Sequence, residues 1–430
     1  MKKQWFFFFL VVFFLLRLLT VIEFGQSQSE FQDAKSYDSY ATEIVSGSDW
    51  LFSSDFYGNH REPIYPLFIS LVYLIFGIHN YLVVYIFQAI FSTISLWIIY
   101  KFSNLLFNNN LIASVSSFIW AGVYYFYFKY VGQIIRETFE VFFVLLFFYS
   151  LFVLLRNQKP NIKKIIYLSF IFFILTHLNG KYLFFTPFLV VYFIYNIGLI
   201  KGIKQYSLFL IFFIVFSLPW LIRNIIVYDK IVIINTRTYQ HDINHKNIDY
   251  EDNTAKKSLL FGTIKELNND KGLSEEEANQ ILKGENRKNR EIDFINAVKK
   301  GKRPAETYWE RRWFMLKQFW RVTNFDGDFF PMPSGKFNIW SLRHNMANIL
   351  YYGMALLFSI LGFSRLVLEK NKIALLYTTY PLLIDSLLHT LIWSRERYRL
   401  PFDAFIIILA GYGFYYLYII IKNKWLNIKE

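Results

Sequence analysis

The sequence predicts an all-α polytopic membrane protein of about ten transmembrane helices, with outer juxtamembrane helices and a mainly helical extracytoplasmic cap. Three observations predict it. Hydrophobic residues make up 55% of the 430 positions and aromatic residues 21%. Only 18% are charged, against about 25% in a typical soluble domain. Runs of about 20 apolar residues recur along the chain, which is the length needed to cross a bilayer as a helix. The formal charge of +14 sits in short scattered loops. That fits topology-setting cytoplasmic Lys and Arg and excludes a nucleic-acid-binding surface. There is no cysteine, so disulfides, thiolate catalysis and thiolate metal sites are excluded.

The elements follow in order. Trp5 to Ile22, after Lys2 and Lys3, reads as a retained first helix rather than a signal peptide, being longer than an h-region and lacking a clean cleavage site. A polar loop from Glu23 to His60 follows, then a short apolar helix from Ile64 to Phe76 between Pro63 and Gly77. Tyr81–Tyr100 is a full span. Parity decides what the short helix is. If it lies in the outer interface, the basic loops at Lys101, Arg156 with Lys159, Lys163 and Lys164, Lys201 with Lys204, Arg365 with Lys370 and Lys372, and Lys422 with Lys424 all fall inside. If it spans, they flip. The first arrangement is therefore expected, with Pro63 in the first turn.

Leu111–Tyr130 and Thr138–Leu155 come next. Ile165–Ile200 is broken by the polar turn His177–Lys181 into two short helices, and Tyr206–Ile222 leads outward. Three further spans, Asn345–Phe363, Ile373–Trp393 and Pro401–Ile421, complete the chain. This divides it into an N-terminal transmembrane module (1–222, with a first outer loop at 23–80), an extracytoplasmic segment (223–344) and C-terminal transmembrane helices (345–430). Within the extracytoplasmic segment, Ser274–Glu277 is a capping box. Glu310–Val322, with Trp313, Phe319 and Trp320, reads as a helix lying in the interface. Lys283–Lys302 is densely charged.

The polar residues beside these spans are candidates for chemistry. Asp33, Tyr37 and Ala41 recur at helical spacing and share one face. A carboxylate there suits a general base; a solvated or capping aspartate is the competing reading. In Arg61-Glu62-Pro63-Ile64-Tyr65-Pro66, an arginine at an interface can grip a phosphate bidentately or snorkel to headgroups. Glu137 is a second acid candidate, or a helix-start acid placed for the dipole. Lys181 suits an anionic headgroup or substrate, or plain anchoring. Arg223 follows Pro219-Trp220 at the end of a span. Arg395, Arg397 and Arg399 break the positive-inside trend on the outer face, which calls for an anionic ligand or a salt-bridged loop. Every cluster falls on the same side under one parity, which suits a lipid-linked phosphate substrate.

Four stretches resemble membrane-embedded glycosyltransferases of the C class (GT-C), the broad group of dolichyl-phosphate-mannose–protein mannosyltransferases and bacterial aminoarabinose transferases. Asp33-(x3)-Tyr37-(x3)-Ala41 is similar to the acidic first-loop motif. Arg61 to Phe68, with Phe76-Gly77, resembles the juxtamembrane Arg/Lys-x-Pro helix. Pro219-Trp220-Leu221-Ile222-Arg223-Asn224 is similar to the Pro-Trp-x-x-Arg-Asn signature. Arg397-Tyr398-Arg399-Leu400-Pro401 resembles the Arg-Tyr-Arg-x-Pro motif. They occur in the family's order from about residue 33 to 401. Asp33 stands alone where many mannosyltransferases have two adjacent acids, which argues against the protein mannosyltransferase branch.

The resemblance implies inverting transfer of a sugar from a polyprenyl-phosphate donor to a glycan, lipid or protein acceptor. The active site would face the outside of the bacterial inner membrane. It implies Asp33 as the base and Glu137 as a second acid. Arg61, Tyr37, Tyr65, Lys181, Arg223, Arg397 and Arg399 would serve at the donor phosphate, the substrate or the fold. Metal use varies in the class, so a divalent ion is possible, although no carboxylate or histidine cluster demands one. Two rival functions share part of the pattern. An O-antigen polymerase or ligase is also polytopic with outer arginines, and a flippase or transporter would place ionisable groups mid-span, as Asp385 and His389 are.

Overall fold

The computed structural model describes residues 3–24, 32–47, 61–108, 111–124, 127, 130–156, 161–228, 231–234, 312–313, 316–317, 319–320, 339–391 and 396–427. The described residues are mainly helical, with no strand among them, and the protein is an all-α polytopic membrane protein. Its helices are α1 (Lys3–Phe24), α2 (Gln32–Val45), α3 (Ile64–Phe76), α4 (Tyr81–Leu106), α5 (Leu111–Gly122) and α6 (Glu137–Arg156). They continue as α7 (Ile162–Leu178), α8 (Thr186–Ile197), α9 (Leu199–Tyr228), α10 (Ile339–Leu368), α11 (Lys372–Leu391) and α12 (Leu400–Asn427). Among the described residues, the 3₁₀ turns Tyr130–Gly132, Gly180–Phe185 and Glu396–Arg399 fill the corners.

Among the described residues, 7 helical stretches are long and apolar enough to cross a membrane. They are α1, α4, α6, α9, α10, α12 and the combined Gly180–Ile197 stretch. The helices α3 and α5 are apolar but shorter. The break expected at His177–Lys181 is there: α7 stops at Leu178 and a 3₁₀ turn precedes α8.

The chain divides into two compact units, one of residues 1–237, 331–386 and 397–430, the other of 238–330 and 387–396. In the second unit, residues 312, 313, 316, 317 and 319 are helical, within the helix expected over Glu310–Val322. There Phe319 is buried and stacks on His389 at 5.3 Å. The Ser274–Glu277 capping box, the Lys283–Lys302 stretch and the Arg397 side chain lie outside the described residues.

Local chemistry explains the boundaries that position the site. Pro63 sits at the N-cap of α3 in helical backbone, where its missing N–H costs nothing. Gly77 ends the helix at φ 98°, a conformation that glycine adopts without strain. One expectation differs. The run Leu111–Tyr130 leaves the helix after Gly122, and the chain turns inward with Tyr124, Tyr127 and Tyr130 all buried. Gln88 of α4 makes this possible. Its Nε2 donates to the carbonyls of Val131 at 2.7 Å and Gln133 at 2.8 Å, satisfying backbone that has no helical partner.

The bundle closes around α12, whose residues 400–413 are buried on every side, the pattern of a central helix. Small residues let its neighbours approach. A Cβ on Gly413 would collide with the Phe358 carbonyl, and one on Gly362 with the Leu409 carbonyl. On the other flank Gly411 packs against Ser117 and Ala113 of α5. Because the opposing atoms are backbone, no rotamer change relieves the clash. Gly413→Ala should destabilise the protein by about 3 kcal/mol, the upper end of overpacking costs. Gly353→Ala, on the facing helix α10 but in open space, should be neutral or gain up to about 1 kcal/mol of helix propensity. Thermal unfolding of the two variants in detergent checks the contrast.

Candidate functional site

The first-loop helix and the short helix after it build the centre of the site. In α2 the expected face forms: Ala34, Tyr37, Tyr40 and Ala41 are buried, and Asp33 sits in the first turn. In the turn before α3, Arg61 donates through Nη2 to Asp33 Oδ1 at 2.5 Å. The two are unequally placed, with the Arg61 side chain 9% exposed and the Asp33 side chain 31%. The guanidinium also lies 4.9 Å over the Tyr37 ring. Tyr37 meets Tyr65 edge-on at 4.8 Å, and Tyr65 Oη donates to Gln88 Oε1 at 2.8 Å. Asp33, Tyr37, Arg61 and Tyr65 are therefore brought together, and Gln88 ties them to the α4 scaffold.

Burial opposes the charge on Arg61, yet Tyr37 and Asp33 outweigh it and hold the guanidinium above its usual range. Burial pushes the Tyr37 phenol up to about 12, against the pull of Arg136 and Arg61. Tyr37 is thus a neutral platform at physiological pH, with the Asp33 carboxylate at its edge.

Behind this pair runs a chain of buried charges. Arg136, just before α6, pairs with Glu62 and with Glu140, the latter at 2.8 Å. Its Nη1 also donates to the Leu178 carbonyl at 3.2 Å. The second Glu62 oxygen accepts the Gly180 N–H at 3.1 Å. Glu140 accepts from Asn179 Nδ2 and from Tyr182 Oη, both at 2.9 Å. Lys181 Nζ continues the chain: it lies 4.0 Å from Glu140 and 3.5 Å from Asp385, and donates to the Tyr398 carbonyl at 2.9 Å. Alternating sign is what lets so many charges share a low-dielectric place. Glu137 is buried at the start of α6 and acts electrostatically on both Arg136 and Tyr65.

The remaining arginines build separate contacts. Arg399 donates to Asp403 at 2.7 Å and lies 4.3 Å over the Tyr352 ring, while Tyr124 Oη donates to the other Asp403 oxygen at 2.5 Å. Arg223 lies 5.1 Å over Trp220 and donates to Asn224 at 3.0 Å. Trp220 and Asn224 in turn donate to the Ile234 and Val232 carbonyls. Among the described residues no three His, Asp or Glu side chains converge as a metal would need.

Sequence reasoning gave no role to Arg17, Asp38, Glu62, Gln88, Glu140 or Asp403. Arg17 is wholly buried in α1 and donates from Nε to Ser92 Oγ at 2.7 Å and from Nη1 to the Phe13 carbonyl at 2.9 Å. A usable signal existed for three of them: Arg17, Glu140 and Asp403 are lone charges inside apolar runs, and such charges require partners.

Burial raises and Arg136 more than reverses the Glu62 pKa, so the folded carboxyl titrates below its ordinary value. Its contribution to stability is complete above the unfolded value of about 4.3. That contribution is lost as pH falls through the lower folded value. Glu62→Gln should cost about 2 kcal/mol at neutral pH. It should also flatten the acid limb of the melting temperature measured between pH 7 and pH 3, relative to the parent.

With this geometry in hand, known proteins supply a comparison. Residues 60–222 match the family described as dolichyl-phosphate-mannose-protein mannosyltransferase. A search of curated proteins finds no match. Among solved structures, the apo oligosaccharyltransferase of Archaeoglobus fulgidus superposes with a TM-score of 0.54 at 14% identity, over 98% of this chain and 52% of that one. The same organism's oligosaccharyltransferase AglB, in complex with an inhibitory peptide and a dolichol-phosphate, gives 0.53 at 13% identity, over 98% and 52%. The chain spans about half the length of these structures and shares their fold. The family match over residues 60–222 agrees with the resemblance drawn from the sequence motifs; it takes in Arg61–Phe68 and Pro219–Ile222, while Asp33 and Arg397–Pro401 lie outside it.

Proposed function

We propose that this chain, a GT-C-like membrane protein, is an inverting glycosyltransferase. It moves a sugar from a polyprenyl-phosphate donor to an acceptor on the outer face of the bacterial inner membrane. The observation that carries this reading is the Asp33–Arg61 pair, in which a partly open carboxylate meets a buried guanidinium at 2.5 Å. The acid is the accessible member, and the base of a transfer reaction must reach its acceptor.

In the proposed reaction Asp33 takes the proton of the acceptor hydroxyl. The acceptor oxygen forms its bond to the anomeric carbon from one face as the bond to the phosphate oxygen breaks on the other. The departing polyprenyl phosphate carries the electron pair and gains negative charge, which Arg61 stabilises. Arg61 can serve both steps in turn: it orients Asp33 at rest and faces the phosphate when donor is bound. Glu137, buried beside Arg136 and Tyr65, is proposed as the second acid of the site. Lys181 and Arg399 are already engaged by carboxylates, Asp385 and Asp403 respectively. Their proposed part is to hold the walls of the site, while Arg223 and Arg397 remain candidates for the donor. The exposed apolar row Leu67, Leu71 and Leu74 on α3 suits the polyprenyl chain.

The test is sugar transfer or release by purified protein from synthetic polyprenyl-phosphate sugars. Asp33→Asn should lower kcat by about 10²–10⁴-fold, the range for loss of a general base, with expression and donor binding intact. Full activity in that variant would sink the assignment. Arg61→Ala should lower kcat and weaken donor binding together. Activity only with lipid-diphosphate donors would favour a polymerase or ligase, and movement of donor without bond cleavage a flippase.

A further inference from the structure

A second carboxylate on the first-loop helix has a role that none of the motifs describes. Asp38 lies on α2 five residues beyond Asp33, about 140° further round the helix. Its Oδ1 accepts from Tyr73 Oη at 2.5 Å, and His79 Nδ1 lies 3.1 Å from the same oxygen. Its Oδ2 accepts from Tyr81 Oη at 3.0 Å. Tyr81 Oη and His79 Nδ1 are themselves 3.1 Å apart, so the three partners form one group. Tyr73 is in the last turns of α3, Tyr81 opens α4, and His79 sits between them with φ 63°, in the left-handed region. The side chain of His79 is aimed at Asp38 by a backbone conformation that few residues adopt.

The two aspartates bracket the buried face of α2. Ala34, Tyr37 and Ala41 lie between or beside them and share one buried apolar cluster with Tyr65, Ile69, Val72 and Tyr73 of α3. Asp33 is fastened near the start of α3 by Arg61, and Asp38 near its end by Tyr73. Apolar packing is non-directional, so the buried face alone would tolerate a roll of α2 about its own axis. Hydrogen bonds are directional and short-ranged. A roll of about 20° moves a side-chain tip about 2 Å at the radius of a helix with its side chains. That is enough to break the Asp38 group or the Asp33–Arg61 pair.

We propose that Asp38 is a positioning residue. Held by Tyr73, His79 and Tyr81, it locks the rotation of α2 and so sets the direction in which Asp33 presents its carboxylate. The link to catalysis rests on the transferase reading above, whereas the lock itself does not.

The test exploits the absence of cysteine from the chain. Spin labels at Lys35→Cys on α2 and Leu82→Cys on α4, both exposed positions, report the placement of α2 in the full chain in lipid nanodiscs without any substrate. In the parent the distance distribution should be narrow. In Asp38→Ala it should shift by about 2 Å or broaden about twofold, and Tyr73→Phe should move it the same way to a smaller extent. Asp33→Asn, which keeps a hydrogen-bond acceptor for Arg61, should leave it narrow. With a synthetic polyprenyl-phosphate sugar as donor, Asp38→Ala should lower kcat by about 10–100-fold, the cost of a misplaced reacting group. Donor KM should change less than about threefold, and Asp38→Asn should restore part of kcat.

An unchanged distance distribution in both Asp38→Ala and Tyr73→Phe overturns the lock. A shifted distribution with unchanged kcat overturns the role in positioning Asp33. A parent protein that transfers no sugar from any such donor overturns the transferase reading instead, since the label distances are read without it.

Discussion

Burying charge away from water shapes the centre of this protein more than any other demand on it. Glu62 and Glu140 are buried and Arg136 is largely so, and an isolated charge in such a place costs several kcal/mol. Each is tolerated only because its neighbours have opposite sign or donate hydrogen bonds. The consequence reaches beyond the three side chains. Glu62 also holds the Gly180 N–H, Arg136 the Leu178 carbonyl, and Glu140 the Asn179 and Tyr182 side chains. The turn between α7 and α8 is therefore bound to the start of α3 and the start of α6. The break in the long apolar run at His177–Lys181 is where these ends meet, so a polar turn that looks like a flaw in a span is a structural junction.

Placed on that junction, the Asp33–Arg61 pair joins a largely buried guanidinium to an open carboxylate, an inequality that the Arg365–Glu369 pair, exposed at both members, lacks. Arg399–Asp403 is closed on both sides and Glu140 is closed in its pair with Arg136, whereas Asp33 keeps about a third of its side chain open. Tyr37 and Tyr65 supply an apolar, aromatic wall beside it, and Gln88 anchors that wall to a helix that spans the membrane. A charged group that is partly open yet rigidly supported is well suited to meet a reacting atom. The inequality between the two members of the pair is the observation behind the chemical role proposed for Asp33.

Several elements were readable in one dimension because their signals are local. The helix Ile64–Phe76 has the bounds expected of it because Pro63 and Gly77 punctuate it. The face shared by Asp33, Tyr37 and Ala41 follows from helical spacing alone. The end of α5 at Gly122 was not readable, since apolarity continues past it. What ends the helix is the set of inward tyrosines and the carbonyls held by Gln88, forty and more residues away. Asp38 was likewise invisible as anything but a loop acid, because its partners come from the far end of another helix and the turn after it.

The order of residues is enough to make this a helical membrane protein, to place most of its helices, and to set Arg61 at the start of the short helix Ile64–Phe76. Those properties come from apolar run length, proline and glycine, and residue spacing, all of which act within a few residues. Which charge answers which is settled by the packing of the helices. That packing matches Arg61 to Asp33, Arg136 to Glu62 and Glu140, Lys181 to Asp385, and Arg399 to Asp403. Coulombic pairing depends on distance in space, and in a bundle that distance is set by how helices pack rather than by their order along the chain.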